Sequence, residues 1–282
     1  MNIIEIKDLN YSYDTQRKAL NQVSMSFEKG KIIGVLGGNG AGKSTLFLHL
    51  NGILRPGSGK ILYNGKEIKY SKNEITELRK NIGIVFQDPD DQLFSSSVRK
   101  DISFGLLNLG KSSDEVTERV ERIIKELGIE ELAEKPTHAL SFGQKKKVAI
   151  AGVLAMQPAV IILDEPTAGL DPYGVSEILN LLQKIKEEMG ITVILSTHDI
   201  DLVPLYCSEV YVLDKGAVVF SGSPEQLFAD PDLLRRHCLR LPRIAHLMGI
   251  LYDKDKLMVD KSAATISKAR KSIKELVGKK IG

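Results

Sequence analysis

Tryptophan is absent from this sequence, and cysteine is nearly so, with only Cys207 and Cys238. Two thiols cannot build a disulfide framework, which points to a reducing compartment. Long apolar runs are also missing. The longest, VAIAGVLAM at 148–156, falls far short of the roughly 20 residues that span a bilayer. Glu5 interrupts the N-terminal segment where a secretory leader would be apolar, so the expectation is a cytoplasmic chain that meets a membrane only through partners. Charge of one sign is scarce as well. A net +3 gives no global drive toward nucleic acid. Residues 261–282 hold seven lysines or arginines against one acid, a local +6, so residues 1–260 carry −3. Low-complexity segments and internal repeats are lacking, and no N-K-x-D guanine motif occurs.

What the sequence does have is 282 residues of ordinary globular composition, 43% hydrophobic and 27% charged, ample to bury a core. Strand patterns fall at 3–6, 31–36, 82–86, 160–163, 191–196 and 210–214. Several are uninterrupted apolar stretches, as in strands buried on both faces. Helical patterns lie between them. One begins near Ser44, and one spans 113–127 with a possible capping box of Ser112 with Glu115. Another runs from Asp171 and Pro172 to Gly190. The alternation predicts an α/β fold with a mainly parallel central sheet and a small N-terminal sheet. Residues 88–157 interrupt it with two helical patterns and no convincing strand, which reads as a helical insertion. The predicted division is a core at 1–225 and a helical C-terminal appendage at 226–282.

Two segments carry phosphate chemistry. Gly37, Gly38, Asn39, Gly40, Ala41, Gly42, Lys43 and Ser44 fit G-x-x-x-x-G-K-S/T, after an apolar strand and at the start of a helix. Glycines let backbone N–H groups approach phosphates, Lys43 places a charge on the β and γ oxygens, and Ser44 can ligate Mg²⁺. In VIILDEP, Asp164 ends an apolar strand where it can hold Mg²⁺, and Glu165 can polarise an attacking water. His198 and Gln87 also end strands, and carboxyl strand ends line the ligand crevice of a parallel sheet. His198 is read as a γ-phosphate contact and Gln87 as a sensor of metal or water. Tyr11 and Tyr13 could each stack on adenine or pack against the N-terminal sheet. The second segment, ALSFGQKKKVAIAG at 139–152, offers a helix N-terminus, a hydroxyl and three lysines, which is the chemistry of another anion site.

The P-loop, Gln87, LSFGQ, VIILDEP, the Ala168-Gly169-Leu170-Asp171 turn and His198 together resemble the ATPase subunit of ATP-binding-cassette transporters, in family order over roughly 1–225. The resemblance implies a P-loop NTPase cassette that hydrolyses ATP with Mg²⁺. It implies a head-to-tail dimer with a second ATPase chain, the same or a paralogue, in which two ATP molecules are sandwiched. Ser141 and Gly143 would then donate in trans to the γ-phosphate bound by the partner's P-loop, with Gln144 nearby and Asp171 coupling the sites. Thr45 completes the P-loop, and Tyr13 matches the adenine-stacking aromatic better than Tyr11. The family's commonest signature is Leu-Ser-Gly-Gly-Gln. Here Phe142 stands third, and ordinary negative φ is expected of it.

FQDPDDQLF, LSFGQKKKVAIAG and LRLPRIAHLMGIL are similar to the cobalt and energy-coupling-factor branch. That likeness implies the motor of a cobalt importer, or alternatively a shared energy-coupling ATPase for vitamin uptake. The chain would sit on the cytoplasmic face of the cell membrane, bound to integral transport subunits. A soluble cassette acting on ribosomes or DNA is a remote alternative, since one cassette without coiled coils fits neither. A small-molecule kinase would leave LSFGQ unexplained. Leu93 and Phe94 are expected to be exposed and, with the helical insertion, to form a groove for a cytoplasmic helix of the membrane subunit. His237, Cys238 and His246 match no metal-ligand spacing.

Overall fold

The computed structural model describes residues 1–14 and 18–281. In chain order, β1 covers Asn2–Ser12, β2 Lys18–Glu28, β3 Ile32–Leu36, β4 Ser58–Tyr63 and β5 Lys66–Glu67. The later strands are β6 at Ile82–Val85, β7 at Val160–Leu163, β8 at Thr192–Ser196, β9 at Glu209–Asp214 and β10 at Ala217–Gly222. They form two sheets. One is a small antiparallel sheet in the order β2-β1-β4-β5. The other is the central sheet, β10-β9-β3-β8-β7-β6, parallel throughout except for β10.

The apolar runs are explained by the faces they serve. Val160 and Ile162 of β7 point into a core shared with the antiparallel sheet, and Ile161 and Leu163 point into a core shared with helices. Neither face meets water, so no polar alternation is written into the strand. The helices are α1 (Lys43–Leu50), α2 (Lys72–Asn81), α3 (Val98–Asn108), α4 (Ser113–Leu127), α5 (Phe142–Ala155) and α6 (Pro172–Met189). They continue with α7 (Val203–Tyr206), α8 (Pro224–Phe228), α9 (Pro231–Arg236), α10 (Arg243–Asp253) and α11 (Ile266–Ile281).

Between β6 and β7 lie three helices, α3 to α5, where the sequence pattern shows two. The extra one, α3, contains Gly105 at mid-helix. A Cβ there would come 2.8 Å from Met156 Sδ, so the glycine serves close helix contact and hides a helix from pattern reading. Gly83 does the same beneath α5, where a Cβ would lie 2.2 Å from Val153 Cγ1. At the start of α4 Ser112 accepts from Glu115 N, but Glu115 pairs with Lys111 and Arg119, so only half of the expected capping box forms.

After Gly222 the chain is helical. Leu227, Phe228, Leu234, Ala245 and Ala264 share a core with Leu36, Val210 and Val212 of the central sheet. Two polar contacts fasten the same region. Arg243 N donates to Asp201 Oδ1 at 2.6 Å, with the Arg240 guanidinium 3.4 Å from Asp201 Oδ2. His237 Nδ1 lies 2.9 Å from Asp214 Oδ2, and no cluster of metal-ligating side chains occurs among the described residues. No helix among them is long and apolar enough to cross a membrane.

Candidate functional site

The carboxyl ends of β3, β6, β7, β8 and β9 meet along one edge of the central sheet, and their following turns build the site. The turn after β3 is the Gly-rich loop, whose glycines divide into two kinds. At Gly37, φ is 146° and a Cβ would come 2.3 Å from Leu213 O; at Gly42, φ is 107° and a Cβ would come 2.7 Å from Ala19 O. These two let the loop pass close to neighbouring backbone. Gly38 and Gly40 face open space, with no atom within 4 Å of a built Cβ. They leave room for a phosphate. Gly216 N donates to Ala41 O at 2.9 Å and anchors the loop to the β9–β10 turn.

Lys43 opens α1 and is only 6% exposed. Its Nζ donates to Gly37 O at 2.8 Å and Gly38 O at 3.2 Å, so the ammonium arches over the loop. Burial pushes its pKa down, against the pull of Glu165 and Asp164. A cleft of about 400 Å³ is lined by Tyr13, Asn39 through Thr45, Gln87, Glu165 and Lys215, among others. Tyr13 is 62% exposed and its hydroxyl lies 3.2 Å from Thr45 Oγ1. Tyr11 is half-buried, in T-shaped contact with His49 at 4.6 Å and with Tyr13 at 5.0 Å between centroids. Of the two rings, Tyr13 is the one with a face to offer.

Asp164 and Glu165 follow β7. The Ser196 hydroxyl donates to Asp164 Oδ1 at 2.6 Å and accepts from Glu165 N at 2.8 Å. Glu165 has φ of 48°, in the left-handed region, which costs a non-glycine residue roughly 1–3 kcal/mol. Besides the bond to Ser196, its carbonyl accepts from Ala168 N at 3.1 Å and from Lys146 Nζ at 2.8 Å. Each such bond contributes about 0.5–1.5 kcal/mol net. Together they match the strain, so the conformation is held. His198 Nε2 lies 2.5 Å from Glu165 Oε1, which places an imidazole against the proposed base.

Mg²⁺ fits this donor set. Ser44 and Gln87 line the cleft with side-chain oxygens, and Asp164, next in chain to the cleft-lining Glu165, offers a carboxylate. A hard cation with few protein ligands keeps water and substrate phosphate in its remaining positions.

The second anion segment sits elsewhere. Ser141, Gly143, Gln144 and Asp171 are not among the residues lining the cleft. Ser141 is the N-cap of α5, in a complete capping box with Gln144. Its hydroxyl accepts from Gln144 N, which leaves the O–H free to donate outward. Phe142 takes helical backbone as the first residue of α5, and its ring lies against Gly169, 2.9 Å from a built Cβ. Asp171 Oδ1 caps α6 by accepting from Gly174 N at 2.7 Å.

Three corrections emerge. The lysines after Gln144 are not part of an anion site. Lys145 pairs with Asp90 and Lys147 with Glu177, both at 2.6 Å, while Lys146 is buried against Glu165. Leu93 is 9% exposed and belongs to the core, leaving Phe94 alone of that pair on the surface. Ser196 and Lys146 were missed as site residues. A serine ending a strand carries no motif signal, and a lysine in a basic run reads as solvated.

Known proteins resemble this chain over most of its length. A family model described as ABC transporter matches residues 20–168, more than half of the chain. The chain is 55% identical over 271 residues to an energy-coupling factor transporter ATP-binding protein, EcfA3, of Clostridium perfringens, covering 96% of this chain and 95% of that one. It is 50% identical over 277 residues to EcfA of Methanococcus maripaludis, covering 98% and 99%. Among solved structures, cbiO1 of Clostridium perfringens, described as part of the ABC transporter complex cbiONQ, superposes with a TM-score of 0.76 at 55% identity, over 88% of this chain and 99% of that one. A dimeric ATP-binding cassette in a post-hydrolysis state with ADP and Pi superposes at 0.72 with 27% identity, over 78% and 98%. The chain therefore belongs to the ABC transporter ATPases, and it is the ATP-hydrolysing subunit of an energy-coupling-factor-type ABC transporter.

Proposed function

We propose that this subunit works as half of a head-to-tail pair that sandwiches two ATP molecules and drives import, of cobalt ion in particular, through integral membrane subunits. One observation carries the pairing. The cleft holding the Gly-rich loop, Gln87 and Glu165 does not include Ser141 or Gly143 of the same chain. Both segments offer donors suited to phosphate, so a second chain, identical or paralogous, brings them to one nucleotide. The dimeric relative with ADP and Pi supports that reading.

In this reading Tyr13 stacks on adenine, and Gly37 through Thr45 and Lys43 hold the α-, β- and γ-phosphates. Ser44, Asp164 and Gln87 would hold Mg²⁺, which would supply neutralisation of charge developing on the phosphates. Glu165 accepts a proton from the attacking water, and His198 orients Glu165 and contacts the γ-phosphate. Ser141 Oγ and Gly143 N donate from the partner chain, Gln144 keeps that turn capped, and Asp171 couples the two sites from the N-terminus of α6.

The cobalt assignment rests on the likeness of three segments that touch no cargo, so it is associational. The names of the curated relatives favour a second reading, a shared energy-coupling module for several vitamin-binding subunits. In either reading the chain lies at the cytoplasmic face of the membrane. Phe94, 64% exposed, stacks edge-on against Phe104 at 4.7 Å, and Leu107 is exposed nearby on the same helix. This apolar patch is the proposed seat for a short cytoplasmic helix of the membrane subunit.

Replacing Glu165 by Gln is expected to slow hydrolysis by about 10²–10⁴-fold while ATP still binds, and to accumulate an ATP-bound pair. Steady-state turnover and size-exclusion chromatography with ATP check this. Near-normal turnover would move the base to another group.

Mixing Ser141→Arg chains with Lys43→Ala chains tests action in trans. One composite site in the mixed pair keeps both intact halves, so ATP-dependent pairing returns in part. No recovery from folded single variants would place both segments on a nucleotide within one chain.

Phe94→Asp is expected to abolish co-purification with the membrane subunits while leaving nucleotide affinity of the isolated chain unchanged. Loss of the folded state would instead show that Phe94 is core.

Cargo is decided by reconstitution with the native membrane subunits, measuring ATP-dependent uptake of radioactive cobalt and of vitamins. Vitamin uptake without cobalt uptake removes the cobalt assignment and keeps the motor.

A further inference from the structure

The lysine after Lys145 is unusual for its kind. Lys146 is 2% exposed, and its Nζ donates at 2.8 Å to the backbone carbonyl of Glu165. The ring of Phe142, one helical turn earlier on α5, covers the ammonium with its centroid 5.4 Å from Nζ. That ring in turn rests on Gly169. Two residues at i and i+4 thus hold both ends of the 165–169 turn against the start of α5.

Placing an ammonium there is costly. Desolvation pushes Lys146 down to about 8, outweighing the attraction of Glu165, Asp88 and Asp164. A methionine would fill a similar volume without that cost. What the lysine provides is a charged donor to a carbonyl whose residue is in the left-handed region, with φ of 48°. Lys145 and Lys147 reach other partners, Asp90 and Glu177, so neither can replace it.

We infer that Lys146 is a positioning residue for the hydrolytic carboxylate: capped by Phe142, it holds Glu165 in its left-handed conformation and ties it to the signature turn of the same chain. The inference rests on the reading of Glu165 as general base. It also assigns a use to the phenylalanine in the signature, which screens the ammonium from water.

The test uses the full-length chain with Lys146→Met, Lys146→Gln, Glu165→Gln and the Met–Gln double variant. ATP affinity is read by fluorescent-nucleotide titration, and hydrolysis by single-turnover kinetics. Lys146→Met is expected to lower the hydrolysis rate by about 10- to 100-fold, the loss of one charge-assisted bond, with ATP affinity changed by less than about threefold. Lys146→Gln, which keeps an N–H donor, is expected to fall between Met and wild type, and it is read in the same way should the Met variant prove unstable. In the Glu165→Gln background Lys146→Met is expected to cost nothing further, because the residue it positions no longer acts. A wild-type rate in Lys146→Met, or the same fold-loss in both backgrounds, overturns the inference. Near-normal turnover in Glu165→Gln alone instead overturns the general-base reading, whatever Lys146 does.

Discussion

One buried hydroxyl aligns the reactive edge of this molecule. Ser196 Oγ accepts from Glu165 N–H and donates its own O–H to Asp164 Oδ1, so the proposed metal ligand and the proposed base are set by the same atom. It can do so only because β7 and β8 are parallel neighbours with Leu163 beside Leu195. A register slip of one residue would turn Ser196 to the other face and reverse the core residues of β8 with it. The sheet's alternation between two apolar cores therefore fixes the chemistry, since the same packing that selects the register selects which hydroxyl meets which carboxylate.

The site shows how strain is distributed. Gly37 and Gly42 are required by nearby backbone, whereas Gly38 and Gly40 have open space beside them. Glu165 has no such freedom, being a β-carbon residue in a region that disfavours it. Its conformation persists because Ser196, Ala168 and Lys146 hold it from three directions. If Glu165 is the base, a backbone fixed in this way reduces the reorganisation that reaction requires.

Much of this was legible in the sequence. The central strands announced themselves as apolar runs, α6 by Asp171, Pro172 and Gly190, and the P-loop by its spacing. The elements that were not legible share a cause. β2 and β4 have few fully buried positions, and α3 carries a glycine placed for contact with Met156. Their patterns answer to neighbours distant in sequence. The same holds in the site. Lys43 and Glu165 stand in recognisable motifs, whereas Lys146 looks like one member of a basic run, and its burial depends on a ring at 142 and a carbonyl at 165.

The contacts of Asp201 and Asp214 with the last helices bear on how the molecule comes apart. Asp201 lies in the segment after β8 and accepts from Arg243 N, and Asp214 ends β9 and pairs with His237. The apolar residues beneath them, Val210 and Val212, share one core with Leu234 and Ala245. Detaching the final helices would thus strip water-excluding cover from the sheet and leave two carboxylates without partners at once. Loosening of α8 to α10 would therefore reach β9, whose neighbour β3 leads directly into the Gly-rich loop, whereas α11 packs with Met248 in a cluster of its own.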